Sequence, residues 1–284
     1  NIPVKFHDFY IAMSDLRLFD LATVVERTGG RGSGERMPGG QFPITKDLYR
    51  WQRQGRVRHW RRELYSIAEE HGGPRIHPLE LGAQAQLPAY ISLTTALEWH
   101  GALAPRGGLW TTSTAPASTP ASTSTPAPAS TPAPASTSAG GSLGAKLAAE
   151  LLATLDPPGT VAVVGPRFAM NFQNELGKFR YRQIHPRLFW GFSREVVGSQ
   201  EVVGDAGAEG RSDVVEVPIA LPHKALIDLW HLTPGRWTPH VYEALQLNTR
   251  VIDRHALEAF AQRHGLTPRI QVAYTNFENY AEAR

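Results

Sequence analysis

Residues 41–62 carry seven cations, Lys46, Arg50, Arg53, Arg56, Arg58, Arg61 and Arg62, against the single acid Asp47. Guanidinium and ammonium groups at this density are suited to neutralising phosphates, because each contact with a nucleic-acid backbone releases a condensed counterion. Thr45, Gln52 and Gln54 stand among them, and hydroxyl and amide groups can hydrogen-bond base edges in the major groove. A second, looser set of cations, Lys178, Arg180, Arg182 and Arg187, alternates along a segment 120 residues or so further on, as a secondary basic face would.

Other chemistries find less support. The chain has no cysteine, which excludes thiol nucleophiles, disulfides and zinc–thiolate sites. There is no phosphate-binding glycine loop ending in Lys-Ser/Thr, no His-Glu-x-x-His pair and no Gly-x-Ser-x-Gly elbow. Gly198-Ser199 followed by Asp205 and Asp213 has the residue types of a nucleotidyltransferase, whose carboxylates must converge on metal ions. Asp213 and Glu216 are three apart, however, and a strand would point them to opposite faces. Lys224 and Asp228, four apart on one helix, are predicted to form an ordinary surface ion pair. His100 reads as a partner for a helix C-terminus, and Trp51, Trp60, Trp190 and Trp230 as packing residues. No catalytic residue, metal or cofactor is predicted.

The elements that must position the cations are legible in outline. Asp20 is a suitable cap for a helix over 21–27, and a preceding helix falls in the later part of 1–18, after Pro3. Beyond a glycine-rich loop, Thr45 is predicted to cap a helix over 45–54, with Leu48 and Trp51 facing inward and Lys46, Arg50, Arg53 and Gln54 outward. Residues 56–61 and 64–67 alternate as a hairpin around Arg62-Glu63. This order predicts a winged helix-turn-helix, whose second helix enters the major groove while the hairpin follows the backbone. Farther on, helices are predicted over 78–85 and 94–100, from Pro222 with Ala225, Leu226, Leu229 and Trp230 on one side, and over 254–264, the last of these being the final one, together with an amphipathic helix from Leu143 through Leu147, Leu151, Leu152 and Leu155. Strands are predicted over 160–164, 177–184 and 214–217. Helices and strands mix without a βαβ rhythm, so the fold class is α+β.

In a chain of 284 residues with 42% apolar residues and a net charge of only +3, the concentration of charge matters more than its sum. Residues 111–142 are almost wholly Ala, Pro, Ser, Thr and Gly, and such a tract lacks side chains large enough to offset the entropy of ordering it. The predicted organisation is a DNA-binding domain over 1–72, the start of a second domain over 73–110, a linker or insertion over 111–142, and the remainder of the second domain over 143–284. No apolar run approaches the roughly 20 residues that span a bilayer, so no membrane partner is predicted and the expected location is the cytoplasm. The opening Asn1-Ile2-Pro3 lacks a methionine, as a trimmed start or a fragment would.

Four blocks occur in order: Phe42-Pro43-Ile44-Thr45 with RHWRRELYSI (58–67), YISLTTALEWHG (90–101), GKFRYRQIHPRLFWG (177–191) and VPIALPHKALIDLWHL (217–232). Together they resemble the AbiEi-like antitoxins of bacterial abortive-infection and toxin–antitoxin operons. The resemblance implies an N-terminal winged helix that represses its own operon by binding double-stranded DNA at inverted repeats. It also implies a C-terminal antitoxin-type domain that counteracts a nucleotidyltransferase-like toxin and can add its own basic face to DNA binding. The low-complexity tract and the loop over 31–41 depart from the family pattern. The alternatives are a winged helix serving protein contacts alone and a nucleotidyltransferase-like enzyme.

Overall fold

The computed structural model describes residues 4–28, 43–107, 146, 150, 156–157, 159–198, 214–233, 237–264 and 266–284. The predicted amphipathic helix from Leu143, the low-complexity tract, and Ser199, Asp205 and Asp213 lie outside or almost wholly outside these residues. What is described is a mixed α+β fold with two sheets, as the residue pattern predicts.

The N-terminal lobe contains α1 (Phe6–Met13), β1 (Phe19–Asp20), α2 (Leu21–Arg27), α3 (Pro43–Arg53), β2 (Val57–Arg61) and β3 (Leu64–Ile67). Asp20 caps α2 as predicted, its carboxylate accepting from the Thr23 amide at 2.7 Å. Thr45 does not cap α3. The helix begins two residues earlier at Pro43, whose fixed φ and missing N–H suit a first turn. β3 is the centre of a three-stranded antiparallel sheet, flanked by β2 and by β1, a two-residue strand too short to leave a periodic signal in the sequence. The β2–β3 turn is Arg62-Glu63, with Glu63 in the left-handed region at φ 63° and a register shift between His59 and Arg61. Phe9, Met13, Phe19, Val24, Ile44, Leu48, Trp51, Val57 and Ile67 form one core, in which the rings of Phe9 and Trp51 lie 4.6 Å apart.

The second lobe is organised on a six-stranded mixed sheet. Its strands are β4 (Tyr90–Ile91), β5 (Thr160–Gly165), β6 (Met170–Asn174), β7 (Gly177–Gln183), β8 (Phe192–Val197) and β9 (Val215–Ala220), in the spatial order β6-β7-β5-β4-β9-β8. β5 is buried along its whole length, which explains its unbroken apolar sequence. Against the sheet pack α4 (Pro78–Gln84) and α5 (Leu93–Trp99). α4 sits so close that a Cβ at Gly82 would fall 2.9 Å from a Val161 methyl. Then come α6 (Pro222–Leu232), α7 (Pro239–Leu245), α8 (Arg254–His264) and α9 (Pro268–Glu282). The helix over 254–264, predicted as the last, is followed by this fifteen-residue α9, which buries Ile270, Ala273, Phe277 and Tyr280.

The lobes meet across a seam. Arg17 donates to both oxygens of the buried Glu80 carboxylate, at 2.7 and 3.0 Å, and to the Arg75 carbonyl. Glu80 also closes the cap of α4, where His77 Nδ1 accepts from the Leu79 amide. Burial, with Arg17 and Arg75 nearby, lowers the His77 pKa to about 4. Since the folded value lies below the unfolded one, neutral His77 supports folding fully above the unfolded pKa near 6.5. That contribution falls as pH drops from there towards 4. The urea midpoint of wild type should therefore decline over this window. In His77→Asn, which keeps a capping acceptor, this part of the decline should vanish; identical pH profiles would contradict it.

Candidate nucleic-acid interface

The burial pattern of α3 divides it cleanly. Ile44, Asp47, Leu48 and Trp51 face the core, at spacings of three, one and three residues, and the complementary row Lys46, Tyr49, Arg50 and Arg53 is exposed. Gln52 and Gln54 are exposed beside it, and Thr45 is half-buried at its margin. Arg50 pairs with Asp47 at 2.9 Å and lies over the Trp51 ring, so its stem is held against the lobe while its head stays at the surface. Three cations thus share one helical face with Tyr49, an aromatic 63% exposed. Read beside Leu48 and Trp51, Tyr49 is expected on the packing side; its place three after Lys46 and four before Arg53 instead makes it a member of the outer row.

The hairpin cations do not extend this face as predicted. Arg56 stacks over the Phe6 ring at 4.9 Å. Arg58 donates to Glu175 at 2.6 Å and to Glu70 at 3.0 Å, and Arg61 approaches the Met170 sulfur at 3.4 Å. Between them Trp60 is buried in the core of the second lobe, its carbonyl accepting from Asn174 Nδ2 and its indole N–H donating to Ser66. Alternation along β2 accounts for this: Val57 enters the first core and Trp60, three residues on and within the register shift between His59 and Arg61, points the other way into the second. Only Arg62, at the hairpin tip and 91% exposed, projects away. A cleft of about 640 Å³ lies between β2 and the β6–β7 turn, bordered by Gln52, Gln54, Arg58, His59, Glu70 and Glu175.

The secondary basic set also separates. Lys178, Arg180 and Arg182 do share one side of β7, opposite Phe179 and Tyr181. Their β5 neighbours on that side, Thr160, Ala162 and Val164, are buried, and Arg180 and Arg182 are themselves half-buried. Burial, and then Arg180, lowers the pKa of Arg182, while Asp156 acts in the opposite sense. Arg187 is off the strand, on the short turn Pro186–Leu188. Lys178 and Arg187 are exposed but belong to different elements.

Lys224 and Asp228, predicted as a surface pair, are fully buried. The Lys224 ammonium donates to the Asp228 carboxylate and, at 2.9 Å, to the Tyr90 hydroxyl, and it lies 5.3 Å from the Tyr90 and Trp190 rings. Tyr90 and Ser92 hydroxyls donate to the other carboxylate oxygen at 2.9 and 2.8 Å. Burial lowers the Lys224 pKa and Asp228 opposes that shift; burial raises the Tyr90 pKa. The four groups satisfy one another, and the cleft between the lobes does not reach them. The sequence carries no clue to this: Lys224, Asp228 and His231 fall on one side of α6, opposite Ala225, Leu226, Leu229 and Trp230, as on an ordinary amphipathic surface helix.

Among the described residues no three His, Asp or Glu side chains converge as a metal site, and no helix is long and apolar enough to cross a membrane. Comparison with protein-family models, curated proteins and solved structures gives no match to this chain.

Proposed function

We propose that this chain is a DNA-binding transcriptional regulator whose N-terminal lobe acts as a winged helix, with α3 as the reading helix, and that it serves as the autorepressor and antitoxin of a toxin–antitoxin operon. The observation that carries the DNA reading is the outer face of α3, where Lys46, Arg50 and Arg53 surround Tyr49 with no exposed acid in the row. The order helix, strand, helix, helix, hairpin fits a reading head in which α3 lies in the major groove and Arg62 approaches the backbone from the hairpin tip. Lys46, Arg50 and Arg53 neutralise phosphate or reach guanine, and Gln52, Gln54 and Thr45 are placed for base edges or sugar–phosphate contacts. Tyr49 then reads sequence: its ring packs on a thymine methyl and its hydroxyl can donate or accept. The antitoxin role rests on the four sequence blocks, and the partner it requires is a nucleotidyltransferase-like toxin.

The test pairs two DNA fragments, one from upstream of the chain's own reading frame and one of mixed sequence. Wild type should prefer the upstream fragment, and Tyr49→Ala should lose about 1–3 kcal/mol of that preference while binding the mixed sequence as wild type does. Retardation of neither fragment would remove the DNA reading. A nucleotidyltransferase-like reading frame is expected beside this one, and co-expression should relieve its toxicity; no such frame, or unrelieved toxicity, would remove the antitoxin role. The engagement of Arg58 and Arg61 with the second lobe favours one other reading, a winged helix used for protein contacts, which predicts no retardation of any DNA.

A further inference from the structure

The β6–β7 turn brings a carboxylate to Arg58, a hairpin cation that lies between both lobes. Glu175 accepts from one terminal nitrogen of Arg58 at 2.6 Å while Glu70, from the turn after β3, accepts from the other at 3.0 Å. Two anionic oxygens on a single guanidinium reproduce the valence that a backbone phosphate would fill. The carboxylates are 56% and 65% exposed and Arg58 is 33% exposed, so solvent screens both pairs and a polyanion can displace them. The hairpin does not have to leave the second lobe for this exchange, because Trp60 anchors it through apolar burial and not through charge.

We propose that Glu175, with Glu70, is a built-in phosphate mimic: it occupies Arg58 in the free protein, and DNA must evict it before the hairpin can add that contact. This rests on the reading of α3 as a DNA-binding helix. The second lobe thereby sets how many phosphates the reading head engages, and whatever displaces the β6–β7 turn raises affinity without touching α3. An alternative, that the carboxylates only repel DNA at a distance, makes a different prediction about Arg58.

The experiment is an anisotropy titration of a fluorescein-labelled mixed-sequence duplex across a potassium chloride series. It compares wild type, Glu70→Gln/Glu175→Gln, Arg58→Ala and the triple combination, each checked for a wild-type melting profile; Glu175→Gln alone is the fallback if the paired change disturbs folding. Freeing Arg58 should tighten binding severalfold at low salt and steepen the plot of log affinity against log salt by about 0.9, one phosphate contact. In the Arg58→Ala background the same glutamine substitutions should change neither quantity. If the glutamines act equally with and without Arg58, or leave wild-type slope unaltered while the α3 cations still govern binding, the mimic is overturned and the DNA reading stands. If no variant binds the duplex, both fall together.

Discussion

Substituting Asp228 by Leu while Lys224 remains is expected to destabilise the second lobe by about 3–5 kcal/mol, because it strands an ammonium group inside the protein. Lys224→Met should cost a similar amount by stranding the carboxylate. Against a total stability of roughly 5–15 kcal/mol, either change brings the chain close to unfolding at moderate temperature. The two losses should not add. Lys224→Met/Asp228→Leu removes both charges, and what remains is the cost of the Tyr90 and Ser92 hydroxyls, which lose their acceptor. At about 1–3 kcal/mol for each unsatisfied group, adding Tyr90→Phe and Ser92→Ala should recover most of the remaining deficit. Urea unfolding of the series decides the matter. Single variants within about 1 kcal/mol of wild type, or strictly additive losses, would show that the pair is solvated like a surface pair.

The second large effect concerns DNA. Lys46→Ala/Arg50→Ala/Arg53→Ala is expected to weaken binding to any duplex roughly 100-fold near physiological salt, the product of three phosphate contacts each carrying a salt exponent of about 0.9. The cost to stability should be modest. Alanine favours the helix and the three positions are exposed, but Arg50 is the i,i+3 partner of the buried Asp47 carboxylate, and leaving that group unpaired costs about 1–3 kcal/mol. The core residues Ile44, Leu48 and Trp51 keep α3 in place without its outer face.

Much of this arrangement was legible before the structure because it is local. The two faces of α3 follow from 3.6-residue periodicity, the cap of α2 from Asp20, β5 from its apolar run, and the β2–β3 hairpin from alternation about Arg62-Glu63. Local cues failed where a partner distant in sequence decided the outcome. Arg58 is separated from Glu175 by 117 residues, and nothing in its neighbourhood announces that carboxylate. Alternation placed Trp60 on one side of the hairpin but could not say that the facing core belongs to the other lobe. Lys224 and Asp228 have the spacing of a surface pair, and only the enclosure of α6 reverses their environment. α9 was overlooked although Thr267-Pro268 and the spacing of Ile270, Ala273, Phe277 and Tyr280 encode it.

The proposed reading head makes a division of labour that one titration can resolve: the cations of α3 meet phosphate in the free protein's own geometry, whereas those of β2 are occupied by the second lobe. Salt dependence of duplex binding should be compared for wild type, the α3 triple alanine variant and Arg58→Ala/Arg61→Ala. Loss of the α3 cations should flatten the log–log slope by about 2.7, three contacts at 0.9 each, and loss of the β2 pair should leave it close to wild type. The opposite ranking, with the β2 pair carrying the slope and α3 contributing nothing, would contradict the account.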